Sequence, residues 1–145
     1  MASFSVSGVD EIASAFTKSA NVPEDIKIKV LESMGEVVLQ AQKQEGEQWK
    51  DKDPFYDGQT HFIDAIKLKK PKLEGDGGSV KITFDGKRRR GRKETRNAEI
   101  AFINEFGKKN FPARQFIKKA NEKSADKASN AGADVLHNWI ESNFN

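Results

Sequence analysis

Between residues 23 and 48, apolar side chains recur three and four positions apart. Ile26, Val30, Met34, Val37 and Ala41 make one stripe, and Leu31 and Val38 widen it. The opposite side carries Glu24, Lys27, Glu36, Gln40, Lys43 and Glu47. This period predicts an amphipathic helix whose stripe packs in a core. Pro23 suits its first turn, where a missing N–H costs nothing. Gly35, which costs about 1 kcal/mol inside a helix, marks a close packing point. A shorter helix is predicted over 8–19 from Val9, Ile12, Ala13 and Phe16, with Ser7 as its cap and Asp10 in its first turn. A long helix is predicted after Pro112. Its stripe is Ile117, Ala120, Ser124, Ala128, Ala131, Val135 and Trp139, small in the middle and large at the ends.

The stretch between the long helices has a shorter period. Residues 50–59 hold Pro, Gly and three Asp and read as a loop. Residues 62–70 read as a strand, with room for a helical turn before it, and Pro71 closes it. Residues 74–78 make a turn. Residues 79–85 alternate, with Val80, Ile82 and Phe84 inward and Ser79, Lys81, Thr83 and Asp85 outward. Residues 97–106 are predicted as the next strand, with Ile100 and Phe102 on one face and Ala101 and Ile103 on the other. Gly107 ends it, and residues 108–112 form a loop. The expected fold class is α+β. An antiparallel sheet of three to four strands with a long hairpin packs against the 23–48 helix and the C-terminal helix. No repeat or linker divides the chain, so residues 1–145 read as one domain, with 86–97 as a projecting basic hairpin loop.

Composition narrows the function classes. In 145 residues, ten Phe and two Trp argue for a packed core and against global disorder. The absence of cysteine excludes a disulfide scaffold, a thiol nucleophile and a cysteine zinc site. No apolar run approaches the roughly 18 residues of a membrane span. The stretch MASFSVSGVDEIASAF lacks the basic region of a secretory signal. The expectation is a soluble cytoplasmic product with no membrane contact.

The net charge is +3, but its distribution is uneven. Residues 87–96 hold seven basic side chains (Lys87, Arg88, Arg89, Arg90, Arg92, Lys93 and Arg96) against one acid, Glu94. That segment alone is +6, so the rest of the chain is net acidic. Such a tip can contact several phosphates with salt-dependent affinity. It has no aromatic residue on which a base could stack, so any nucleic-acid contact would be independent of sequence. A protein contact with an acidic neighbour and plain solvation are the other two readings.

Enzyme signatures are scarce. Neither GxSxG nor HExxH occurs. Gly75-Asp76-Gly77-Gly78 lacks the Lys-Ser/Thr of a phosphate-binding loop and reads as a hairpin turn. His61 lies near Asp57 and Asp64, three potential metal ligands that read as a surface loop. His137 reads as a solvated helical histidine, and Glu45 and Glu47 as a solvated helix face. No nucleophile is placed with a base. The chain is therefore expected to be no enzyme, with no catalytic residue, metal or cofactor.

Residues 101–120 are more specific. Ala101-Phe102-Ile103-Asn104-Glu105-Phe106-Gly107 is followed by a short loop and then by Phe111-Pro112-Ala113-Arg114-Gln115-Phe116-Ile117-Lys118-Lys119-Ala120. This resembles the tail-completion or neck proteins of long-tailed double-stranded DNA bacteriophages, the family related to the minor tail protein Z of phage lambda. Family members carry an alanine-bearing strand ending in Glu-aromatic-Gly, then a Pro-containing turn and Phe-aliphatic-x-x-Ala at the head of the last helix. The order of elements agrees over nearly the whole chain. The family's Thr-Gly-x-Leu-x-x-Ser-Ile is altered here: aligned on Ile66, the chain has Gln59, Thr60, Phe62 and Ala65.

The resemblance implies a structural virion protein at the head–tail junction, found in the host cytoplasm during assembly. It implies a ring of identical subunits, a hexamer favoured, around DNA passing through the lumen. The implied partners are the head connector and the tail tube or terminator proteins. The residues themselves suggest local roles. Gly107 supplies a positive φ for a sharp turn, and Pro112 fixes the start of the helix. Glu105 either accepts hydrogen bonds from turn amides or pairs with Arg114. Phe106, Phe111 and Phe116 form either a hydrophobic knot or an exposed docking surface. A small sequence-independent nucleic-acid-binding protein acting through residues 87–96 is the alternative.

Overall fold

The computed structural model describes residues 3–5, 22–52, 61–75, 77–90 and 93–144. The predicted 8–19 helix and Asp57 lie outside them, as does most of the predicted 50–59 loop. The architecture is α+β, with two long helices and three small antiparallel sheets among the described residues. The elements are β1 (Ser3–Ser5), α1 (Glu24–Glu47), a 3-10 turn (Lys50–Lys52), a second 3-10 turn (Phe62–Ala65), β2 (Ile66–Leu68), β3 (Lys72–Glu74), β4 (Gly77–Ser79), β5 (Lys81–Phe84), β6 (Lys87–Arg90), β7 (Lys93–Arg96), α2 (Asn97–Phe106) and α3 (Phe116–Phe144).

Helices α1 and α3 form an antiparallel pair. Gln42 Nε2 donates to Asn121 Oδ1 at 2.9 Å near one end of the contact, and Met34 faces Gly132 further along. Val30, Leu31, Met34 and Val38 of α1 are buried as predicted, joined by Leu39, against Val80, Ile82, Ala128 and Leu136, whereas Ile26, Val37 and Ala41 of the predicted stripe are only half-buried. In α3 the buried side runs through Ile117, Ala120, Ser124 and Ala128, then shifts by one to Gly132 and Leu136. Ala131, Val135 and Trp139, which the stripe predicted, are only half-buried. Gly35 does mark a close approach: a Cβ there would lie 2.7 Å from Leu68 Cδ1, so α1 crosses β2 nearly backbone to side chain.

In the three-stranded sheet β5 is central, with β1 on one side and β2 on the other, both antiparallel. That position corrects one expectation. Thr83 was expected to point to solvent, yet it is buried between the two flanking strands, and its hydroxyl donates to Asp85 Oδ1 at 2.9 Å. Strands β3 and β4 form a separate hairpin across the predicted 74–78 turn. A second core gathers Phe62, Ile63, Phe84, Ile100, Ala101, Phe116 and Ile117. Phe62, Phe84 and Phe116 form its centre as a triangle of rings 5.6 to 6.0 Å apart, a separation that favours edge-to-face contact. Ile66 packs against both cores and joins them.

The main correction concerns residues 97–106, which form a helix and not a strand. The buried positions are Asn97, Ala98, Ile100, Ala101, Asn104 and Glu105, the period of a helix face. Half of that face is polar, while Phe102 and Phe106 point outward, 49% and 60% exposed. Reading hydrophobicity alone therefore gives the wrong period. Two smaller corrections follow. Glu45 is not a solvated helix residue: its carboxylate takes the Lys123 ammonium across the α1–α3 contact. His137 is exposed as expected, with Nε2 2.9 Å from Glu141 Oε1.

No helix among the described residues is long and apolar enough to cross a membrane.

Candidate functional site

The family-like segment builds a corner between α2 and α3. Gly107 ends α2 at φ 76°, and its N–H donates to Ile103 O at 2.7 Å. A Cβ on Gly107 would lie 2.7 Å from Ala113 N and from Phe111 O, so the returning backbone occupies that space. The chain turns through Asn110, also at positive φ, with Lys108 and Phe111 exchanging backbone hydrogen bonds at 2.9 Å. It then runs back along the end of α2. Arg114 N donates to Asn104 O at 2.8 Å, and Gln115 N donates to Glu105 O at 3.3 Å. These bonds give partners to carbonyls that a helix end leaves open.

Glu105 closes the corner. It is buried, and its two carboxylate oxygens accept from Ile117 N at 2.7 Å and Lys118 N at 3.1 Å. A side chain from α2 thus does for α3 what a local N-cap residue does elsewhere. Of the two roles the sequence left open, Glu105 takes the amide-accepting one, although the amides belong to a helix start and not to the turn. Arg114 donates from Nη1 to Asn104 Oδ1 at 2.8 Å. Its guanidinium lies between two rings, 4.4 Å from the centre of Trp49 and 4.9 Å from that of Phe111. Pro112 does not start the helix, which begins four residues later at Phe116. The amides of Arg114 and Gln115 are held by α2, and Gln115 sits at φ 50°, which is not helical.

The three phenylalanines do not form a knot, nor do they form one surface. Phe116 is fully buried in the aromatic triangle, Phe111 is half-buried beside Arg114, and Phe106 is exposed. The partner of Phe106 is Phe102, one helical turn earlier, at a ring separation of 4.7 Å. Reading 97–106 as a strand hid this pair. Residue spacing of four on a helix would have found it.

The basic segment is a second, separate feature. Residues 87–96 are not a loop joining two longer strands. They form a two-stranded ribbon themselves, with Lys87 opposite Arg96, Arg88 opposite Thr95, Arg89 opposite Glu94 and Arg90 opposite Lys93. Arg92 lies outside the described residues. The ribbon leaves β5 through Asp85 and Gly86 and runs directly into α2. Asn97 clamps its base: the backbone N–H donates to Gly86 O at 3.0 Å, and Nδ2 donates to Asp85 O at 2.9 Å. Arg88 is buried, 7% exposed. Arg96 Nη2 pairs with Glu99 Oε1 at 2.8 Å. Lys87, Arg89 and Lys93 are exposed.

Beside the ribbon base, Lys69 Nζ contacts Asp85 Oδ2 at 2.6 Å. That bond, helped by a second from Thr83 and opposed by the desolvation of burial, holds the Asp85 carboxyl below the ordinary aspartate value. His61 is buried, and its Nδ1 accepts from Ile63 N at 3.2 Å, capping the second 3-10 turn. Asp64 pairs with Lys50 at 2.9 Å. Among the described residues, no three His, Asp or Glu side chains are grouped as a metal site.

Comparison with protein-family models, with characterised proteins and with solved structures gives no match to this chain.

Proposed function

We propose that the chain is a structural, non-enzymatic virion protein of the head–tail junction of a long-tailed double-stranded DNA phage. In this role it closes into a ring, with six copies favoured, that completes the tail and couples it to the head connector. The observation that carries the proposal is the Phe102–Phe106 pair. Two adjacent rings, about half exposed or more, stand on a helix fixed at its start by Asn97 and at its end by the Glu105 corner. Aromatic residues presented on a rigid element are the usual anchors of a subunit contact. The segment that resembles the neck family therefore splits its work. Glu105, Gly107 and Phe116 hold the corner, and Phe102 and Phe106 face outward. One patch meeting a different patch on the next copy closes into a ring when the rotation fits. The ribbon's exposed cations would then lie near the DNA path and offset phosphate repulsion without reading sequence.

The test is electron microscopy of lysates from a host producing phage with this gene deleted, and with Phe102→Ser and Phe106→Ser together. Filled heads and finished tails that fail to join, or tails of aberrant length, are expected in both cases. Normal infectious particles from the deletion would overturn the neck role. Normal particles from the double substitution would overturn the role of the aromatic pair.

The second reading, a sequence-independent nucleic-acid-binding protein, is favoured by Lys87, Arg89 and Lys93 standing exposed on one ribbon. It predicts salt-dependent retention of duplex DNA by the purified protein. No retention at low salt would remove it.

A further inference from the structure

The charge of the chain is divided between elements. The ribbon segment is strongly basic, whereas α1 carries six acids against three lysines. Glu32 and Glu36 are exposed on α1, one helical turn apart. They line an open groove of about 710 Å3 between α1 and β2, whose other wall is residues 68–71. Leu68, which packs over Gly35, and Pro71 give the groove an apolar lining.

The strand wall is a free sheet edge. Lys69 N donates to Lys81 O at 2.8 Å and Asp85 N donates to Ala65 O at 3.1 Å, so the odd-numbered residues of β2 bond to β5. Antiparallel pairing then turns the N–H and C=O of Leu68 the other way, and no strand among the described residues pairs on that side. Such an edge is a template for a further strand. The ribbon has an edge of the same kind. Asn97 N donates to Gly86 O, so by the same alternation Lys87 and Arg89 of β6 turn their backbone groups away from β7. Their side chains are exposed on one face, two residues apart, which is roughly 6.6 Å along a strand. Glu32 and Glu36 are four residues apart on a helix, which is roughly 6 Å. The spacings match, so two cations can meet two carboxylates at once. Lys29 and Lys70 also line the groove and repel the ribbon in other registers. Lys69 is already held by Asp85.

The ribbon of the same chain is carried away from this groove. The groove lies beside the Lys81 end of β5, where Leu68 pairs with Ile82, while the ribbon leaves from the other end through Asp85 and Gly86.

We propose that the groove between α1 and β2 receives strand β6 of a second copy of the chain, with Lys87 and Arg89 against Glu32 and Glu36. The contact joins two different surfaces, so its repetition closes a ring or runs on as a filament. It deepens the ring reading and rests on it. Lys93, nearer the ribbon tip, remains for the DNA path.

The test is sedimentation velocity of the purified full chain, from micromolar to near-millimolar concentration at low and high salt. Wild type is compared with Lys87→Glu plus Arg89→Glu, with Glu32→Lys plus Glu36→Lys, and with all of these changes together. Wild-type self-association that weakens with salt is expected. Each reversed pair should weaken it by about tenfold or more, and the combined variant should restore it. The substituted positions are all exposed, so the melting temperatures should stay together. Because the chain has no cysteine, Arg89→Cys mixed with Glu36→Cys gives a second readout: the disulfide heterodimer should form faster than either homodimer. A wild type that stays monomeric throughout would overturn the proposal. So would association untouched by either reversal, a combined variant that restores nothing, or a heterodimer no faster than the homodimers. A ribbon reversal that abolishes retention of duplex DNA and leaves association intact would overturn it in favour of a nucleic-acid surface. The particles from the gene deletion judge the neck role separately: defective particles alongside any of these results would remove this contact and leave the neck role standing.

Discussion

Replacing Glu105 with Gln keeps the size of the side chain and removes one oxygen and the charge. In the native corner both carboxylate oxygens are used, one by Ile117 N at 2.7 Å and the other by Lys118 N at 3.1 Å. A carboxamide can accept from only one of these amides. Its –NH2 then faces the other, and a backbone N–H is left buried without an acceptor, at a cost of about 1–3 kcal/mol. The loss of negative charge at the start of α3 adds roughly 0.3–1 kcal/mol, more where the group is buried. The expected destabilisation is therefore about 2–4 kcal/mol. At roughly 2–4 °C per kcal/mol for a chain of this size, the melting temperature should fall by about 5–15 °C. Thermal and urea unfolding followed by circular dichroism measure it. Hydrogen exchange should show the amides of residues 117 and 118 losing protection first. Glu99→Gln is the control: it removes an exposed pair with Arg96 and should cost no more than about 0.5 kcal/mol. If Glu105→Gln lies within about 0.5 kcal/mol of the wild type, the carboxylate is not the cap of α3 and the account of the corner is wrong.

Gly107→Ala should destabilise by about 2 kcal/mol or more in urea unfolding. A left-handed alanine costs roughly 1–2 kcal/mol before its Cβ meets backbone atoms 2.7 Å away. Phe116→Ala should cost about 3–5 kcal/mol, because it empties the centre of the aromatic triangle, whereas Phe106→Ser should leave the melting temperature nearly unchanged. Arg114→Ala takes a cation from between Trp49 and Phe111 and should cost about 1–2 kcal/mol with a change in tryptophan emission; Arg114→Lys should recover only part of it. Asp85, whose folded pKa is lowered by Lys69, contributes stability that is present above the unfolded aspartate value near 3.8 and is lost as pH falls through the lower folded value. Acid unfolding curves of wild type and Lys69→Met should therefore converge below that range and separate above it.

The long elements were legible because each repeats one simple pattern many times. The α1 stripe holds at Val30 and Met34, with Leu31 and Val38 beside them, but the buried side moves on to Leu39, Gln42 and Gly46 and leaves Ile26, Val37 and Ala41 half-buried. The α3 stripe drifts by one residue after Ala128 because the buried side passes to Gly132, where Met34 packs against the backbone. A glycine carries no hydrophobic signal, so a count of apolar residues passes over it. The 97–106 segment failed for the opposite reason. Its buried face holds Asn97, Asn104 and Glu105, each bonded to backbone outside or within α2, and both of its phenylalanines face out. Burial there follows hydrogen-bond partners that lie 12 or more residues away for Asn97 and Glu105, which no local window contains.

The same argument governs the charge. Seven basic residues in ten suggest a naked cationic tip, but a count along the chain is not a charge on a surface. Strand pairing sends alternate residues to opposite faces. Arg88 is thereby turned into the body, while Arg89 and Arg96 come to lie on the face that also holds Glu94 and, at the ribbon base, Glu99. Among the described residues, the ribbon's exposed cations are fewer than the sequence counts: Lys87, Arg89, Lys93 and Arg96, with Arg89 opposite Glu94 and Arg96 paired with Glu99.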